Sequence, residues 1–343
     1  MDGPMDPVAS LKRIAFLLEV AREPAFRVQA FRRAAGVLQE MGPEETTERA
    51  RTGRLRELPG IGEVLARTIR EAVEGEVPVY LRRLEATGGR PVVEGGAELC
   101  AALKGDCHVH SDWSDGGSSI GEMAEAAIEL GHEYIVLTDH SPRLTVANGL
   151  SAERLVEQLD VVAALNLELA PFRILTGIEC DINEDGSLDQ SDELLARLDV
   201  VVGSVHSALR MEARPMTERM LTALANPHLD ILGHCTGRMK TRNRNRPPSE
   251  FDAEVVFAAA ARFGKAIEVN ARPERLDPPK RLLRLAVEAG CRIAIDSDSH
   301  APGQLAWKPY GCERAAACGV EVEQIVNARP ADELLEWTRS HDV

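Results

Sequence analysis

The histidines constrain this chain more than any other feature of its sequence. There are nine of them, and six stand at the end of a short apolar segment that predicts a β-strand. Such segments recur roughly every 30 residues, which is the length of one βα unit. Seven units predict a parallel barrel, one unit short of the usual eight. The six histidines at the predicted strand ends are His108, His110, His140, His206, His234 and His300.

Helical stretches, in which apolar residues recur with 3.6-residue spacing, separate the predicted strands. The chain is therefore expected to alternate between strands and helices. All strands of a parallel barrel point the same way, so we expect the six histidines to converge on its C-terminal face, where such barrels place their sites. The predicted strands are Asp106–His110, Tyr134–Thr138, Arg173–Ile178, Val200–Val205, Asp230–Gly233, Ala266–Asn270 and Arg292–Asp296. The predicted helices between them are Ser119–Leu130, Ala152–Glu168, Asp192–Leu198, Pro215–Ala225, Asp252–Phe263 and Pro279–Ala289.

Three carboxylates accompany the histidines: Asp115 follows the first strand, Glu179 follows the third and Asp298 follows the seventh. The spacing of His108 and His110 places both rings on one side of an extended strand. Imidazole and carboxylate ligands without cysteine favour Zn, Mn or Fe(II). The set is larger than one ion needs, so we expect a cluster of two or three metals, of the kind that catalyses displacement at phosphorus.

Six segments of the chain resemble, in order, the motifs of the PHP (polymerase and histidinol phosphatase) superfamily. They are GDCHVHSDWSDG, YIVLTDHS, TGIECDI, SVHS, DILGHCTGR and DSDSH, and the similarity spans roughly residues 104–320. The similarity is greatest to the PHP domain at the C-terminus of bacterial family X DNA polymerases. That domain also resembles this chain in the segment EVNARPERLD. The resemblance implies an α/β fold, a distorted (β/α)7 TIM-like barrel, that holds three divalent metal ions, zinc or manganese with iron as an alternative.

The resemblance also implies how the ligands divide among the three ions, with Glu179 bridging the first and the second. The third ion is the least constrained, because some phosphatase relatives carry histidine where this chain has Asp115. The implied first set is His108, His110, Glu179 and Asp298; the second is Glu179, His206 and His234; the third is Asp115, His140 and His300.

A basic segment follows the fifth predicted strand. Residues 237–246, GRMKTRNRNR, carry five basic side chains in a part of the chain that is otherwise acidic. One interpretation is a solvated loop. The other is a substrate-phosphate site, since guanidinium groups match phosphate geometry. On the second interpretation Arg238, Lys240 and Arg272 bind substrate phosphate, and Glu179, Asp298 and Arg238 form the catalytic set.

The first 86 residues predict a small all-α unit. Leu11–Val20, Ala25–Met41 and Glu63–Val73 have helical apolar spacing, and LPGIG at residues 58–62 predicts a tight hairpin. FRVQAFRRAA together with LPGIG resembles the amino-terminal 8-kDa domain of family X polymerases. LPGIG itself resembles a helix-hairpin-helix, whose amides bind a DNA phosphate without reading sequence. The resemblance implies DNA contacts at Gly60, Ile61, Gly62, Arg27 and Arg32.

The expected organisation is therefore a helical domain over residues 1–86, a glycine-rich linker over residues 87–103 and a PHP barrel over residues 104–343. The linker leaves no room for a polymerase palm and fingers, so nucleotide addition is not expected. Val64 and Thr68 stand where lyase-active relatives carry lysines, so an amine nucleophile for Schiff-base chemistry is not expected either. Residues 1–96 hold 15 acidic and 15 basic side chains, which predicts weak DNA binding at physiological salt.

Composition argues against several other classes of protein. A hydrophobic content of 44% is enough for a packed core, which argues against a disordered chain. No stretch approaches the roughly 18 uninterrupted apolar residues of a membrane span, so we expect a soluble cytoplasmic protein with no membrane partner. The seven cysteines form no CxxC pair, so neither a disulfide framework nor a thiolate zinc site is expected.

Three functions fit these observations. The favoured one is a metal-dependent phosphoesterase that acts in DNA repair at gapped DNA or 3′ ends, as a 3′-5′ exonuclease, 3′-phosphatase or abasic-site nuclease without polymerase activity. A second keeps the chemistry and takes a small phosphomonoester, as a histidinol-phosphatase type of enzyme does. A third is a non-catalytic DNA-end binding protein. The nine ligand positions argue against it, because a protein without turnover has no reason to keep them all. The helical domain favours DNA over a small ester.

Overall fold

The computed structural model describes residues 6–87, 91, 93–241 and 245–341. The chain divides into two compact units, residues 1–92 and residues 93–343. Each unit has its own set of fully buried apolar side chains. No helix among the described residues combines the length and the apolar character that crossing a bilayer requires.

Five helices form among the described residues of the first unit, and the first of them is strongly buried. This helix begins after Asp6, whose carboxylate accepts hydrogen bonds from the amides of Val8 and Ala9 at 3.1 and 3.3 Å and so caps the helix. Leu11 and Ile14 on its inner face are fully buried. The five helices are α1 (Pro7–Val20), α2 (Ala25–Met41), α3 (Pro43–Thr52), α4 (Glu63–Val73) and α5 (Val79–Thr87).

The LPGIG segment connects a short 3-10 turn, Leu55–Glu57, to α4. Gly60 has a φ of +78°, in the left-handed region that a Cβ atom disfavours. Ile61 is buried and anchors the loop, whereas Gly62 and the first two residues of α4 are exposed. The loop and the amino end of α4 therefore lie at the surface of the unit.

The second unit is a parallel sheet of seven strands, in which the neighbours along the sheet are also neighbours along the chain. A small antiparallel hairpin, in which Met239–Lys240 pairs with Asn245–Arg246, is separate from this sheet and lies between its fifth and sixth strands along the chain. The strands are β1 (Gly105–Val109), β2 (Tyr134–Leu137), β3 (Arg173–Asp181), β4 (Val200–Ser204), β5 (Ile231–Leu232), β6 (Met239–Lys240), β7 (Asn245–Arg246), β8 (Ala266–Asn270) and β9 (Arg292–Asp296).

The last strand of the sheet closes onto the first through a few specific contacts. Val109 and Ser299 form an isolated parallel bridge. Oδ1 of Asp296 accepts the Cys107 amide at 2.7 Å and the side-chain amide of Asn327 at 3.1 Å. Cys107 is next in sequence to the first of the six histidines. These contacts therefore fix the position of the strand that carries this histidine.

Helices surround the sheet, so nearly all strand residues are buried, as parallel strands covered on both faces require. Ser119, Ser151 and Asp252 cap three of the helices by accepting a backbone amide within the first turn. The helices are α6 (Ala97–Ala102), α7 (Ile120–Glu129), α8 (Ala152–Leu169), α9 (Asp192–Leu195), α10 (Ala213–Leu224), α11 (Ala253–Arg262), α12 (Lys280–Glu288), α13 (Lys308–Ala316) and α14 (Ala331–Arg339).

The predicted fold class is confirmed, and all seven predicted strands form. β3 is longer than expected, because its pairing with β4 continues as far as Asp181 opposite Ser204. The hairpin of β6 and β7 was not predicted, since strands of two residues carry no recognisable alternation.

Helix α6 lies within residues 87–103, which the sequence predicted as a linker. Gly96 precedes this helix with a φ of +74°, and a Cβ atom there would lie 2.4 Å from the carbonyl carbon of Cys312 in α13. Gly96 therefore serves a close approach between two backbones, which composition alone does not distinguish from a flexible linker. The predicted linker also contains residues 88–90 and 92, which lie outside the described part of the chain.

Candidate metal centre

Nine side chains form one cluster at the C-terminal ends of the strands. β1 carries the first histidine and β3 carries the central glutamate, while the segments that follow β1, β2, β4, β5 and β9 carry the others. Asp115 is the exposed member, with 38% of its side chain accessible, and it marks the open side of the cluster. The structure thus brings together all of the predicted ligands: His108, His110, Asp115, His140, Glu179, His206, His234, Asp298 and His300.

Glu179 lies at the centre of this cluster, and its two oxygens face different histidines. Oε1 lies 3.2 Å from Nε2 of His206 and 2.9 Å from Nε2 of His234. On the other side, Oε2 lies 3.3 Å from Nε2 of His108, 3.5 Å from Nε2 of His110 and 2.9 Å from Nδ1 of His140. The carboxylate therefore stands between two groups of imidazoles, as a residue that bridges two metal ions must.

The spacing of these atoms suits metal ligands. Two ligand atoms of a tetrahedral zinc site, each about 2.1 Å from the ion, lie about 3.4 Å apart. The nitrogen-to-oxygen distances around Glu179 span 2.9 to 3.5 Å. Several of these buried ring nitrogens have no hydrogen-bond partner, which would be costly unless an ion completes the site. They are Nε2 of His108, both nitrogens of His110, Nδ1 of His140, Nε2 of His206 and Nδ1 of His234.

Three overlapping sets of ligand atoms are close enough to hold an ion. Two of these sets resemble those expected for the first and the third ion, although the set for the third ion also includes His110. In the set nearest to the expected second ion, His140 takes the place of His234, whose Nε2 atom still lies against Glu179. The sets are His108, His110 and Glu179; His140, Glu179 and His206; and His110, Asp115, His140 and His300.

A tight loop after β1 brings Asp115 to the cluster. Gly116 has no room for a side chain, because a Cβ atom would lie 2.6 Å from the backbone of Ser111. The buried carboxylate of Asp139 holds the same loop by accepting the Ser111 amide at 2.8 Å and the Ser114 hydroxyl at 2.5 Å. These contacts place Oδ1 of Asp115 3.4 to 3.6 Å from the nearest histidine nitrogens.

Asp298 is held from behind by the last residue of β8 and by a residue of the segment that follows this strand. Its Oδ2 atom accepts the side-chain amide of Asn270 at 3.0 Å and lies 3.0 Å from Nε of Arg275. Oδ1 instead faces His110 at 3.6 Å. Asp298 also has a φ of +53°, a left-handed conformation that costs a non-glycine residue about 1 kcal/mol. The surroundings thus impose one orientation on this carboxylate.

Two further carboxylates support histidines of the cluster. Oε1 of Glu268, in β8, lies 2.6 Å from Nδ1 of His108. At the end of β3, Oδ1 of Asp181 lies 2.5 Å from Nδ1 of His206. In both cases the ring turns its other nitrogen toward Glu179.

The charges of the cluster shift the pKa values of its members in different directions. Burial opposes ionisation of Glu179, but attraction to His108 and His206 outweighs it and holds the carboxylate pKa well below its usual range. Burial, followed by repulsion from His300 and His140, lowers the pKa of His110 well below the ordinary value. His206 behaves in the opposite way, since Glu179 and Asp181 overcome its burial and raise its pKa to about 9.

The residues predicted to bind substrate phosphate lie at different distances from the cluster. Nη1 of Arg272 lies 3.1 Å from both the Asp298 carbonyl oxygen and Nδ1 of His300, so this guanidinium touches the cluster. The backbone amide of Arg238 approaches Asp277 Oδ2 at 3.2 Å. Burial, followed by repulsion from Arg238, lowers the pKa of Arg314. Lys240 is exposed in β6.

The residues predicted to contact DNA all lie in the first unit. Gly60, Ile61 and Gly62 form the loop before α4. Arg27 donates hydrogen bonds to Glu23 at 2.5 Å and to the Tyr80 hydroxyl at 2.6 Å, and Arg32 donates two to Glu19. Both guanidinium groups therefore have partners within their own unit, which limits their attraction for DNA phosphate.

Sequence reasoning missed four residues that hold the ligands: Asp181, Glu268, Asn270 and Arg275. For Asp181 a signal existed, because it follows Glu179 by two residues and so lies on the same side of the strand. Glu268 was also detectable as a charged residue inside an apolar strand. Nothing in the sequence pattern indicates which way Arg275 turns.

Family models match both parts of the chain. The model described as PHP domain matches residues 106–272, and the model described as helix-hairpin-helix domain matches residues 5–77. The two matches fall in the two compact units.

Curated relatives of two kinds match this chain. A DNA polymerase/3′-5′ exonuclease PolX from Bacillus subtilis is 41% identical over 240 residues, which cover 70% of this chain and 42% of that protein. The chain thus spans less than half the length of this relative. A probable phosphatase from Thermoanaerobacter sp. is 30% identical over 210 residues, covering 57% of this chain and 78% of that protein. Another, from Acetivibrio thermocellus, is 32% identical over 205 residues.

One solved structure to which the chain is similar is histidinol phosphate phosphatase from Lactococcus lactis, complexed with zinc, L-histidinol and phosphate. It is 18% identical, with a TM-score of 0.46, and the match covers 64% of this chain and 95% of that one.

Proposed function

Because the chain belongs to the PHP family, whose members include metal-dependent phosphoesterases, we propose that it hydrolyses phosphate esters at DNA 3′ ends. The reaction would be that of a 3′-5′ exonuclease, a 3′-phosphatase or an abasic-site nuclease in DNA repair, without nucleotide addition. The substrate would be gapped DNA or a 3′ end, bound weakly and without sequence preference. We also propose that the protein acts in the cytoplasm.

The observation that carries the proposal is the position of Glu179 between two groups of histidines, on a chain that also holds a helix-hairpin-helix unit. Three divalent ions, zinc or manganese with iron as an alternative, would occupy the cluster and supply Lewis acidity and an activated water for attack at phosphorus. Nine ligands would hold them, as the resemblance to PHP proteins implies.

The side chains around the cluster would orient the substrate. Glu179 stays ionised in its buried position and holds the two histidine groups at a fixed separation. Asp298, held by Asn270 and Arg275, presents one oxygen to the cluster. Arg272 lies where its guanidinium would neutralise charge on a phosphoryl oxygen, and Arg238 and Lys240 would extend this basic surface.

The first unit would bring DNA to the barrel. Its loop at residues 58–62 and the exposed amino end of α4 suit a phosphate of the backbone, because unpaired amides and the helix dipole both favour an anion there. The equal numbers of acidic and basic residues over residues 1–96 predict modest affinity that falls with salt.

One observation favours the alternative of a small phosphomonoester. The match covers 78% of the length of two probable phosphatases, so relatives of this chain exist with little room for a further unit. A fold of this kind does not decide the substrate.

Hydrolysis of a gapped duplex labelled at its 3′ end tests the proposal. The full chain loaded with Mn²⁺ is compared on this duplex, on histidinol phosphate and on p-nitrophenyl phosphate, with His108→Ala as the control for metal-dependent turnover. Stepwise shortening or loss of a 3′-phosphate that disappears in the variant supports DNA end processing. Turnover of the small esters alone would assign the protein to the alternative.

A further inference from the structure

We propose that Glu268 and Asp181 are positioning residues that each support a different metal ion, one on either side of Glu179. The inference rests on the proposed metal-dependent function, and it concerns two carboxylates that contact histidine rings from behind. Neither would be a metal ligand itself.

Glu268 is completely buried and makes contacts through both of its oxygens. Oε1 meets Nδ1 of His108 at 2.6 Å. Oε2 accepts the backbone amide of His234 and the side-chain amide of Asn270, the latter at 3.2 Å. Because both oxygens are engaged, the carboxylate cannot rotate freely. It holds His108 so that Nε2 points to Oε2 of Glu179, 3.3 Å away.

Asp181 supports His206 in the same way, and the ring of His206 faces the other oxygen of Glu179. Its backbone amide is fixed by the Ser141 hydroxyl at 2.8 Å and by Asp189 Oδ1 at 2.9 Å. Its own Oδ1 meets Nδ1 of His206 at 2.5 Å, and Nε2 of that ring faces Oε1 of Glu179 at 3.2 Å. The support comes from β3, whereas the support for His108 comes from β8.

The physical reason for such a support is the choice between two tautomers. A neutral imidazole binds a metal through the nitrogen that carries no proton, and a carboxylate at Nδ1 keeps the proton there. It also fixes the plane of the ring, so the ligand is oriented before the ion arrives. Since Glu268 and Asp181 act on rings at opposite oxygens of Glu179, their main effects should fall on different ions, and the double variant should weaken both sites, with some coupling through the shared Glu179.

The test is a stepwise zinc titration of the metal-free full chain in competition with a chromophoric chelator. Glu268→Gln and Asp181→Asn keep the size of each side chain and remove its charge. Each is expected to weaken one zinc site roughly 10- to 100-fold, the usual effect of losing such a support. The double variant is expected to weaken two sites. Proton NMR gives a second readout, because each variant should lose the low-field Nδ1–H signal of its own histidine.

Asp230→Asn is the matched control. Oδ1 of Asp230 lies 2.8 Å from Nδ1 of His341, and this buried carboxylate–histidine pair is not part of the cluster. The control should retain wild-type zinc affinities, while circular dichroism verifies that all variants are folded.

Three results would overturn the inference. They are unchanged zinc affinities in both folded variants, an equal loss in Asp230→Asn, and a double variant no weaker than either single one. The titration involves no substrate. A protein that binds zinc as expected but leaves DNA and small esters intact would therefore contradict the proposed function and not this inference.

Discussion

Nε of Arg275 lies 3.0 Å from Oδ2 of Asp298 and leaves Oδ1 of that carboxylate to face the histidine cluster. Arg275 is about nine-tenths buried, so its charge is poorly screened by solvent. It is also the strongest attraction that offsets the burial of Asp298 and holds the carboxylate pKa well below its usual range. The pair therefore keeps this predicted ligand ionised and oriented.

Replacing Arg275 by Met should weaken manganese binding roughly tenfold, because Asp298 would lose both its positive neighbour and one fixed oxygen. Isothermal titration of the metal-free protein with Mn²⁺ measures the change. Arg314→Met serves as the control, since that guanidinium donates to the Pro278 carbonyl and not to a predicted ligand. Equal manganese affinity in wild type and Arg275→Met would show that the contact has no influence on the metal.

Zinc binding should depend on pH through His206. Attraction to Glu179 and Asp181 overcomes the burial of the ring and raises its pKa in the metal-free protein to about 9. A proton on the ring must leave before Nε2 can bind an ion, so apparent zinc affinity should increase as pH rises from 7 and should level off near 9. Calorimetry in two buffers of different ionisation enthalpy measures the protons released at pH 7. A zinc affinity that stays constant between pH 7 and 9 would contradict this assignment.

The loop before α4 should affect DNA binding without affecting the chemistry. Gly60→Ala places a side chain at a φ of +78°, which costs about 1 to 2 kcal/mol and should distort the LPGIG loop. We expect severalfold weaker binding of a gapped duplex in fluorescence anisotropy, with unchanged hydrolysis of p-nitrophenyl phosphate.

Gly36→Ala is the control for this prediction. Gly36 lies within α2, and a Cβ atom there would have no neighbour within 4 Å. The change should stabilise the helix by about 0.5 to 1 kcal/mol and leave DNA affinity as it is. If Gly60→Ala binds DNA as tightly as Gly36→Ala, the LPGIG loop is not the DNA contact.

Much of the fold and the cluster could be predicted from the sequence because the pattern is local. His108 and His110 follow the spacing of one strand, and each later histidine of the cluster stands at the end of an apolar segment. Parallel strands bring these ends together whatever the details of packing. The histidines of the cluster could therefore be predicted from strand ends, whereas Asp115 reaches the cluster through the loop after β1.

The supporting residues depend on contacts between distant parts of the chain. Glu268 reaches a histidine 160 positions away, and Arg275 reaches Asp298 from an irregular segment. The pairing of each carboxylate oxygen with a histidine nitrogen depends on strand register and on packing around β8. Neither of these produces a periodic signal in the sequence. The β6–β7 hairpin was missed for a simpler reason, since each strand has two residues.

We propose that Glu179 bridges two ions that carry out phosphate-ester hydrolysis on DNA. The most direct test measures metal content and 3′-end hydrolysis of a gapped duplex together, for the wild type and for Glu179→Gln. We predict that the variant binds fewer ions and loses at least about 100-fold in turnover, since losing even a residue that only supports a ligand costs 10- to 100-fold. A folded variant with the full metal content and wild-type turnover on the duplex would contradict it.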